Sequence, residues 1–214
     1  MSNDILFRGN TIDIYQEGPE LVAITKGNNL EYSRLNVKSK KATHWYAQKI
    51  CDKILEAFPK KQMSLNICCL GSSMGAIPYE LLHTYQKAVI TCVDIDKESI
   101  FIAKHSILKM FGNRVTYKEM DANEFVKKVP AKTFDIVIND MFFEDKSPQF
   151  INTHEFIKAI WNILKPKGYY FANTYTDTLD MTHDTLLKQN GFRVERHARY
   201  PTGTSNIVSV ARKS

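Results

Sequence analysis

The sequence predicts an α/β protein built on a doubly wound, mostly parallel sheet of seven strands. From residue 65 onward, short apolar segments alternate with amphipathic helical segments, and repeated strand–helix units form parallel sheets with helices on both faces. Two further observations complete the plan: β and turn signals dominate the N-terminal segment, and the chain closes on two strands joined by a turn. We therefore predict a small N-terminal β appendage over residues 1–41 and an α/β domain, including its leading helix, over residues 42–214.

The N-terminal appendage is predicted to contain three strands. Residues 12–15, 21–25 and 30–37 have the composition of strands, and residues 26–29 form a Lys-Gly-Asn-Asn turn that is typical of a hairpin. The α/β domain then opens on residues 42–58, whose apolar side chains recur at spacings of three and four. That spacing predicts an amphipathic helix.

Alternating segments make up the rest of the chain. The predicted strands are short apolar stretches over residues 65–70, 88–94, 114–118, 134–139 and 169–174. The predicted helices lie between them and after them, over residues 76–86, 97–111, 122–128, 153–164 and 178–190. The closing pair, residues 192–199 and 206–212, predicts a hairpin that adds an antiparallel strand to the sheet.

Composition indicates a cytoplasmic protein. Hydrophobic residues make up 43% of the 214 residues, enough for a packed core, and no segment approaches the length of a membrane span. The first residues are polar and lead into no signal-like segment. The cysteines have no metal-ligand spacing, so we expect no metal and four reduced, buried thiols: Cys51, Cys68, Cys69 and Cys92.

The formal charge of +6 is spread along the chain. Three lysines fall within residues 38–41, and isolated lysine pairs occur at residues 60–61 and 127–128. A solvated surface explains this distribution better than a nucleic-acid partner does, although the sequence does not exclude nucleic acid.

Small and acidic residues follow the predicted strands. In a doubly wound sheet, ligands bind beyond the carboxyl ends of the strands, near the point where the strand order reverses. Gly71, Ser73 and Gly75 lie between a strand and a helix, in a pattern that lets main-chain N–H groups face a nucleotide but also occurs in ordinary turns. Asp94 ends the next strand, at the distance of about 20 residues where a carboxylate accepts hydrogen bonds from a ribose diol.

Three further acids have structural as well as functional explanations. Asp96 precedes a predicted helix and is the expected N-cap. Asp121 forms a capping-box-like pair with Glu124, and the same carboxylate could accept a hydrogen bond from an adenine amino group. Asp140 follows Asn139 at the end of a strand buried on both faces, where a carboxylate needs a partner such as a substrate amine or a cofactor ammonium.

These motifs, in this order, resemble the Rossmann-like class I S-adenosylmethionine-dependent methyltransferase fold. Within it, the sequence is similar to the spermidine-synthase-like branch of polyamine aminopropyltransferases, over about residues 20–175. The motifs that carry the likeness are Asp94-Ile95-Asp96, Asp121-Ala122-x-x-Phe125, residues 134–140, Thr153-x-Glu155-Phe156 and Leu164-Lys165-Pro166-x-Gly168.

The resemblance implies a site for S-adenosylmethionine or its decarboxylated form. Asp140 would face the reacting centre. The residues implied in cofactor binding are Gly71, Ser73, Gly75, Asp94, Ile95, Asp121, Ala122 and Asn139.

Departures from the family pattern concern mainly the acceptor. Phe143 stands where aminopropyltransferases carry a second Asp, and the family's polyamine-holding tyrosine and acids have no clear counterpart near His44-Trp45-Tyr46. The glycine-rich loop also has fewer glycines than is usual in the family. These differences favour methyl transfer, or a divergent alkyl transfer, over spermidine synthesis, with a small amine-containing molecule as the acceptor.

An amine acceptor must lose its proton before it attacks a carbon bonded to a sulfonium. A free alkylammonium has a pKa near that of lysine, about 10.4, so its deprotonation at pH 7 costs roughly 4–5 kcal/mol. Asp140 is the candidate that accepts this proton or orients the amine. Phe143 and Tyr175 are candidates for the pocket wall, and a purely structural role for Tyr175 is equally open.

Three alternatives stay open at this point. The chain could be a true aminopropyltransferase that uses decarboxylated S-adenosylmethionine, or a non-catalytic nucleoside-binding module. It could also be an RNA methyltransferase, which the charge and residues 38–41 favour. The N-terminal strands could pair across a homodimer.

Overall fold

The computed structural model describes residues 4–27, 29–142, 146–200 and 202–214. These residues form two sheets and six α-helices. Within the described ranges, no helix is both long enough and apolar enough to cross a membrane. The doubly wound α/β fold with an N-terminal β appendage is therefore confirmed, and its details correct several predicted boundaries.

The described N-terminal residues form an antiparallel sheet of five strands rather than the predicted three. In order across the sheet they are β1 (Asp4–Arg8), β2 (Ile12–Glu17), β3 (Glu20–Thr25), β4 (Glu31–Asn36) and β5 (Lys41–Ala42). The additional strands β1 and β5 are edge strands, and β5 contains only two residues. Neither carries the hydrophobic alternation by which a strand is recognised in sequence.

The first helix begins later than residue 42, where it was predicted to start. Ala42 belongs to β5, and its main-chain N–H donates to the buried carboxylate of Glu80 (2.9 Å). This bond keeps Ala42 extended, so α1 runs over Trp45–Ala57. The correction matters for the site because His44, just before the helix, turns toward the cavity described below.

The second sheet contains seven strands among the described residues. They are β6 (Asn66–Leu70), β7 (Val89–Asp94), β8 (Val115–Glu119), β9 (Phe134–Asn139), β10 (Leu164–Asp177), β11 (Phe192–Ala198) and β12 (Thr204–Lys213). Their order across the sheet is β11-β12-β10-β9-β6-β7-β8. Strand β12 lies antiparallel between β10 and β11, as the closing hairpin predicted. The strand order reverses between β6 and β9, so the switch point lies at their carboxyl ends.

Helices cover both faces of this sheet. They are α2 (Ala76–Thr84), α3 (Lys97–Ile102), α4 (Ala122–Lys128), α5 (His154–Ile163) and α6 (Thr182–Gln189). The prediction of one helix over residues 97–111 was wrong, because α3 gives way to a π turn over Ala103–Ile107 and then to 3-10 turns. A main-chain bond from Leu108 N–H to Ala103 O (2.8 Å) closes the wider turn. The apolar face predicted for this segment is nevertheless buried.

Two other boundaries differ. The predicted helix over residues 178–190 begins only at Thr182, and the predicted turn at residues 165–168 is a bulge inside β10, which pairs again with β9 from Tyr169. The thiol predictions are confirmed. All four cysteines are free and buried, and Cys68 and Cys69 pack in clusters on opposite faces of the sheet.

Candidate functional site

The loop after β6 meets the ends of two neighbouring strands. Gly71 N–H donates to Val93 O of β7 (2.9 Å), and Asp140 N–H donates to Leu70 O of β6 (2.8 Å). These bonds place Gly71, Asp94 and Asp140 side by side at the switch point. These residues are separated by about a third of the sequence, and the parallel sheet brings them together.

Glycine is required at position 71. Its φ is +75°, and a Cβ there would lie 2.6 Å from the main-chain oxygen of Asp140. Gly75 also has a positive φ of +95°, at the N-cap of α2. Since no side chain caps α2, its first N–H groups point into the loop.

Two hydroxyl groups of this loop are buried without a partner among the described residues. Ser72 is 4% exposed and Ser73 is 7% exposed, and neither Oγ makes a hydrogen bond. Ser73 also has a positive φ of +47°, an unfavourable conformation for a residue other than glycine. A buried hydroxyl without a partner is costly. A polar ligand that approaches the loop would relieve this cost, so the loop fits a nucleoside with a polar tail.

Asp94 is held by the main chain on both sides. Its two carboxylate oxygens accept from Ser73 N–H (2.9 Å) and Asp96 N–H (3.0 Å). Burial raises the pKa of Asp94, and these two hydrogen bonds oppose that rise. Each oxygen keeps a free lone pair, which is the capacity needed to accept both hydroxyls of a ribose diol.

Two acids near Asp94 cap the helices that follow β7 and β8. Asp96 caps α3 by accepting from Ser99 N–H (3.1 Å), and Asp121 caps α4 by accepting from Glu124 N–H (3.0 Å), with Ala122 as the first residue of that helix. The caps are confirmed, and the adenine contact of Asp121 stays a prediction. Ile95 is 69% exposed, an unusual position for a large apolar side chain beside a carboxylate.

Asn139 has a structural environment. Its side chain is fully buried, its Nδ2 donates to the Tyr170 hydroxyl (2.9 Å), and its Oδ1 accepts from Met141 N–H (3.2 Å). Because the amide is engaged on both sides, a cofactor contact by Asn139 would come from its main chain. The role predicted for this residue stays a prediction.

Asp140 lies at the wall of the site, in a network that the sequence did not reveal. Asn173 Nδ2 donates to Asp140 Oδ1 (2.8 Å), and Asn206 Nδ2 donates to Asn173 Oδ1 (3.1 Å). Burial raises the pKa of Asp140 to about 7, the hydrogen bond from Asn173 opposes the rise, and the charge of Asp94 adds to it. A carboxyl with a pKa near 7 can accept a proton at neutral pH.

A cavity of about 500 Å³ opens beside Asp140 and Ser73. Tyr175, which is 42% exposed, lies on the cavity wall, and Phe143 lies outside the described residues. The acceptor contacts expected of these two residues stay predictions. The remaining described residues on the wall are Leu30, Glu31, Tyr32, His44, Tyr46, Phe142 and Asn206. These residues come from the N-terminal sheet and its connection to α1, from the start of α1, from the segment after β9 and from β12.

Hydrogen bonds fasten the N-terminal sheet to the α/β domain at several places, including the Ala42–Glu80 bond described above and the two that follow. Tyr32 Oη donates to Phe142 O (3.0 Å), beyond the end of β9. In the first turn of α3, the Glu98 carboxylate accepts from the main-chain N–H groups of Asn10 (2.6 Å) and Thr11 (2.8 Å). The sheet therefore lies over the switch point and forms part of the cavity wall.

Sequence signals for the missed residues exist in two cases. Asn173 interrupts an apolar run in a strand predicted to be buried, and a polar residue in such a position is a candidate for a site. The aromatic cluster at residues 44–46 is visible in the sequence but has no periodicity that places it on a cavity wall. Among the described residues, no cluster of His, Cys, Asp or Glu is arranged to hold a metal ion.

The strand order, the loop after β6 and the acid that ends β7 define a domain with the class I S-adenosylmethionine-dependent methyltransferase fold. The sequence pattern of the spermine/spermidine synthase domain family matches residues 45–204. The chain belongs to this family, as the motifs indicated.

Two curated relatives are transferases by name. One is malonyl-(acyl-carrier protein) O-methyltransferase of Halalkalibacterium halodurans, 26% identical over 172 residues, which are 77% of this chain and 59% of that protein. The other is polyamine aminopropyltransferase of Vibrio vulnificus, 22% identical over 144 residues, which are 66% of this chain and 48% of that protein. The matches thus span about half the length of these relatives.

Solved structures share the fold at low identity. A probable spermidine synthase from Corynebacterium glutamicum superposes with a TM-score of 0.80 at 18% identity, over 99% of this chain and 80% of that chain. Spermidine synthase from Thermotoga maritima gives a TM-score of 0.64 at 16% identity, over 98% of this chain and 73% of that chain. Both alignments extend over nearly all of this chain, the N-terminal sheet included.

Proposed function

We propose that this chain transfers a methyl or related alkyl group from a sulfonium nucleoside to a small, amine-containing acceptor. One observation carries the proposal: a carboxyl with a pKa of about 7, Asp140, lies on a cavity wall beside the nucleoside loop. Family membership and the transferase names of the curated relatives support the reaction class.

The chain's own groups would hold the nucleoside at the strand ends. The Asp94 carboxylate would accept the ribose hydroxyls, and Ile95 would cover one face of the adenine. Ser72 and Ser73 would give their unpartnered hydroxyls to the polar tail of the nucleoside. When bound, S-adenosylmethionine or its decarboxylated form supplies an alkyl carbon bonded to a positively charged sulfur.

Asp140 would act on the acceptor. Its ionised carboxylate orients the amine and accepts the proton that the nitrogen loses as the new carbon–nitrogen bond forms. Asn173 fixes Asp140 Oδ1 and so leaves the other oxygen for the amine. Because the leaving group is a neutral thioether, alignment of nitrogen, carbon and sulfur is the main remaining task of the site.

The first experiment identifies the nucleoside. Calorimetric titration with S-adenosylmethionine and with its decarboxylated form should show binding of at least one, and Asp94→Ala should weaken that binding by at least about tenfold. Turnover is then followed with a panel of amines, where methyl transfer releases S-adenosylhomocysteine. Absence of nucleoside binding to the folded wild-type chain would overturn the proposal.

Aminopropyl transfer is the second candidate. The match to the spermine/spermidine synthase domain and the curated polyamine aminopropyltransferase favour it. Phe143, at the position of the family's second acid, argues against it. The products separate the two, because aminopropyl transfer from decarboxylated S-adenosylmethionine releases 5′-methylthioadenosine. Tighter binding of the decarboxylated nucleoside together with this product would establish the second candidate.

A further inference from the structure

Helix α2 carries a buried carboxylate outside the cavity. Glu80 is 3% exposed and lies in the second turn of α2, the helix that follows the nucleoside loop, residues 71–75. A carboxylate in such a place is stable only when its oxygens have partners. The partners of Glu80 therefore show what this side chain holds.

Glu80 binds two groups of β5, which ends the N-terminal sheet. Lys41 Nζ lies 2.5 Å from Glu80 Oε1, and Ala42 N–H donates to Glu80 Oε2 (2.9 Å). The hydrogen bond to Glu80 raises the pKa of Lys41, so this amine is charged at neutral pH. Burial, and then the charge of Glu80, raise the pKa of the Cys51 thiol in α1. One side chain thus joins α2 to the N-terminal sheet, close to α1.

The chain leaves β5 directly into the cavity wall. Only two residues after Ala42, His44 lines the main cavity, and Tyr46 lines it in the first turn of α1. We call residues 44–46 the wall segment. Because the connection is so short, the position of Ala42 limits where the wall segment can lie.

The wall segment faces the nucleoside loop. A narrow gap between them is lined by His44 and Tyr46 from the wall segment and by Ser72 and Ser73 from the loop. These are the two serines whose buried hydroxyls have no partner among the described residues. The loop leads into α2, and Glu80 of α2 holds the strand that precedes the wall segment.

We propose that Glu80 is a positioning residue that couples nucleoside binding to the acceptor wall. Through its bond to Ala42, it makes the wall segment move with α2 and the nucleoside loop. This inference rests on the proposed function and deepens it by naming a residue that links the two substrate sites. Because such coupling is reciprocal, an acceptor that binds the wall segment strengthens nucleoside binding by the same factor.

A tryptophan in the wall segment reports on this coupling. Trp45 is one of two tryptophans in the sequence, and the other, Trp161 of α5, packs in the cluster on the opposite face of the sheet. In a Trp161→Phe background, tryptophan fluorescence therefore comes from Trp45 alone. Saturation with S-adenosylhomocysteine should shift the emission of Trp45. Absence of a shift in the folded, nucleoside-bound protein would overturn the inference.

Substitutions of Glu80 in this background test the link itself. Glu80→Leu has no acceptor for Ala42 N–H, so it should lose the shift and still bind S-adenosylhomocysteine within about tenfold of the wild-type affinity. Glu80→Gln keeps an acceptor oxygen of the same reach and should retain the shift. The matched control is Glu56→Leu, which removes an exposed glutamate of α1 that pairs with Lys53 (2.8 Å), and it should also retain the shift.

A merely structural role would give a different result. It would lower the melting temperature of Glu80→Leu and leave the nucleoside-induced shift in place, and that outcome would contradict the coupling. Loss of the shift in Glu80→Gln as well would refute the assignment to the Ala42 bond.

Hydrogen exchange of the unaltered chain decides the question if Glu80→Leu does not fold. S-adenosylhomocysteine should slow exchange of the Ala42 amide, which donates to Glu80, and unchanged exchange there would overturn the inference. Failure of S-adenosylhomocysteine to bind would overturn the proposed function and this inference together. Binding without a response at Trp45 or Ala42 would remove only this inference.

Discussion

The amide of Asn173 is expected to control the protonation of Asp140. Asn173→Ala removes the 2.8 Å bond to Asp140 Oδ1, which stabilises the ionised carboxylate. Hydrogen bonds to charged groups contribute about 1.5–3 kcal/mol, and one pKa unit corresponds to about 1.4 kcal/mol. The pKa of Asp140, about 7 in the native chain, should therefore rise by about 1–2 units in the variant.

The pH dependence of kcat/KM measures this shift. For the wild type, activity should rise with pH as Asp140 ionises, with an acidic limb near pH 7. For Asn173→Ala the limb should move up by about 1–2 units, so that the rate at pH 7 falls by about 5- to 50-fold and recovers toward wild type above pH 9. Both proteins are assayed with the same amine, so that the acceptor's own ionisation cancels. A rate reduced equally at all pH values would refute the reasoning, because it would indicate lost structure.

Stability gives a readout that needs no acceptor. The pKa of Asp140 is higher in the folded chain than in the unfolded chain, so protonation of its carboxyl favours the folded state. This contribution to the free energy of unfolding is fully present below about pH 4 and is lost as pH rises through 7. The loss amounts to at most about 4 kcal/mol. In Asn173→Ala the loss continues to higher pH and is larger. Asn206→Ala, one hydrogen bond further from the carboxyl, should give a shift in the same direction and of smaller size.

Three further outcomes follow from the site. Asp94→Ala should weaken nucleoside binding by at least about tenfold in calorimetry, without loss of the folded state. Gly71→Ala puts a Cβ 2.6 Å from the oxygen of Asp140 at a φ of +75°, and should lower the free energy of unfolding by about 1–3 kcal/mol in thermal denaturation. Burial opposes ionisation of Glu98, but hydrogen bonds from Thr11 and Asn10 outweigh it and lower the pKa of Glu98 to about 2. This contribution is present above about pH 4.5 and is lost as pH falls toward 2. The hydrogen-exchange protection factors of the N-terminal sheet should therefore fall over that range in the wild type and depend less on pH in Glu98→Gln.

The main sheet could be predicted because its signals are local. Strand β9 and helix α4 have the predicted bounds, since each combines a clear period with a turn or cap at its ends. The prediction of one helix over residues 97–111 was wrong for a different reason. Its apolar face was right, but a hydrophobic period does not distinguish an α-helix from one that widens into a π turn, and Leu108 after that turn packs at Gly75.

The positions of Gly71 and Asp94 were predictable for a similar reason. Gly71 follows β6, and Asp94 is the last residue of β7. Because β6 and β7 pair in parallel, their carboxyl ends lie at the same edge of the sheet, and this does not depend on the rest of the chain. Asn173 and Asn206 were missed because their importance comes from a hydrogen-bond chain across three strands, β9, β10 and β12. No local pattern encodes a contact between residues so far apart in the chain.

The cavity, which would hold the acceptor under the proposed function, depends on how the N-terminal sheet is attached. Glu31, Tyr32 and His44 reach the cavity because the sheet is fastened by the Tyr32–Phe142 hydrogen bond and by Glu98, each of which joins residues about 90 or more positions apart. A change in that sheet therefore alters the cavity wall. Acceptor choice can therefore differ between chains whose nucleoside sites are alike, and family membership alone does not fix it.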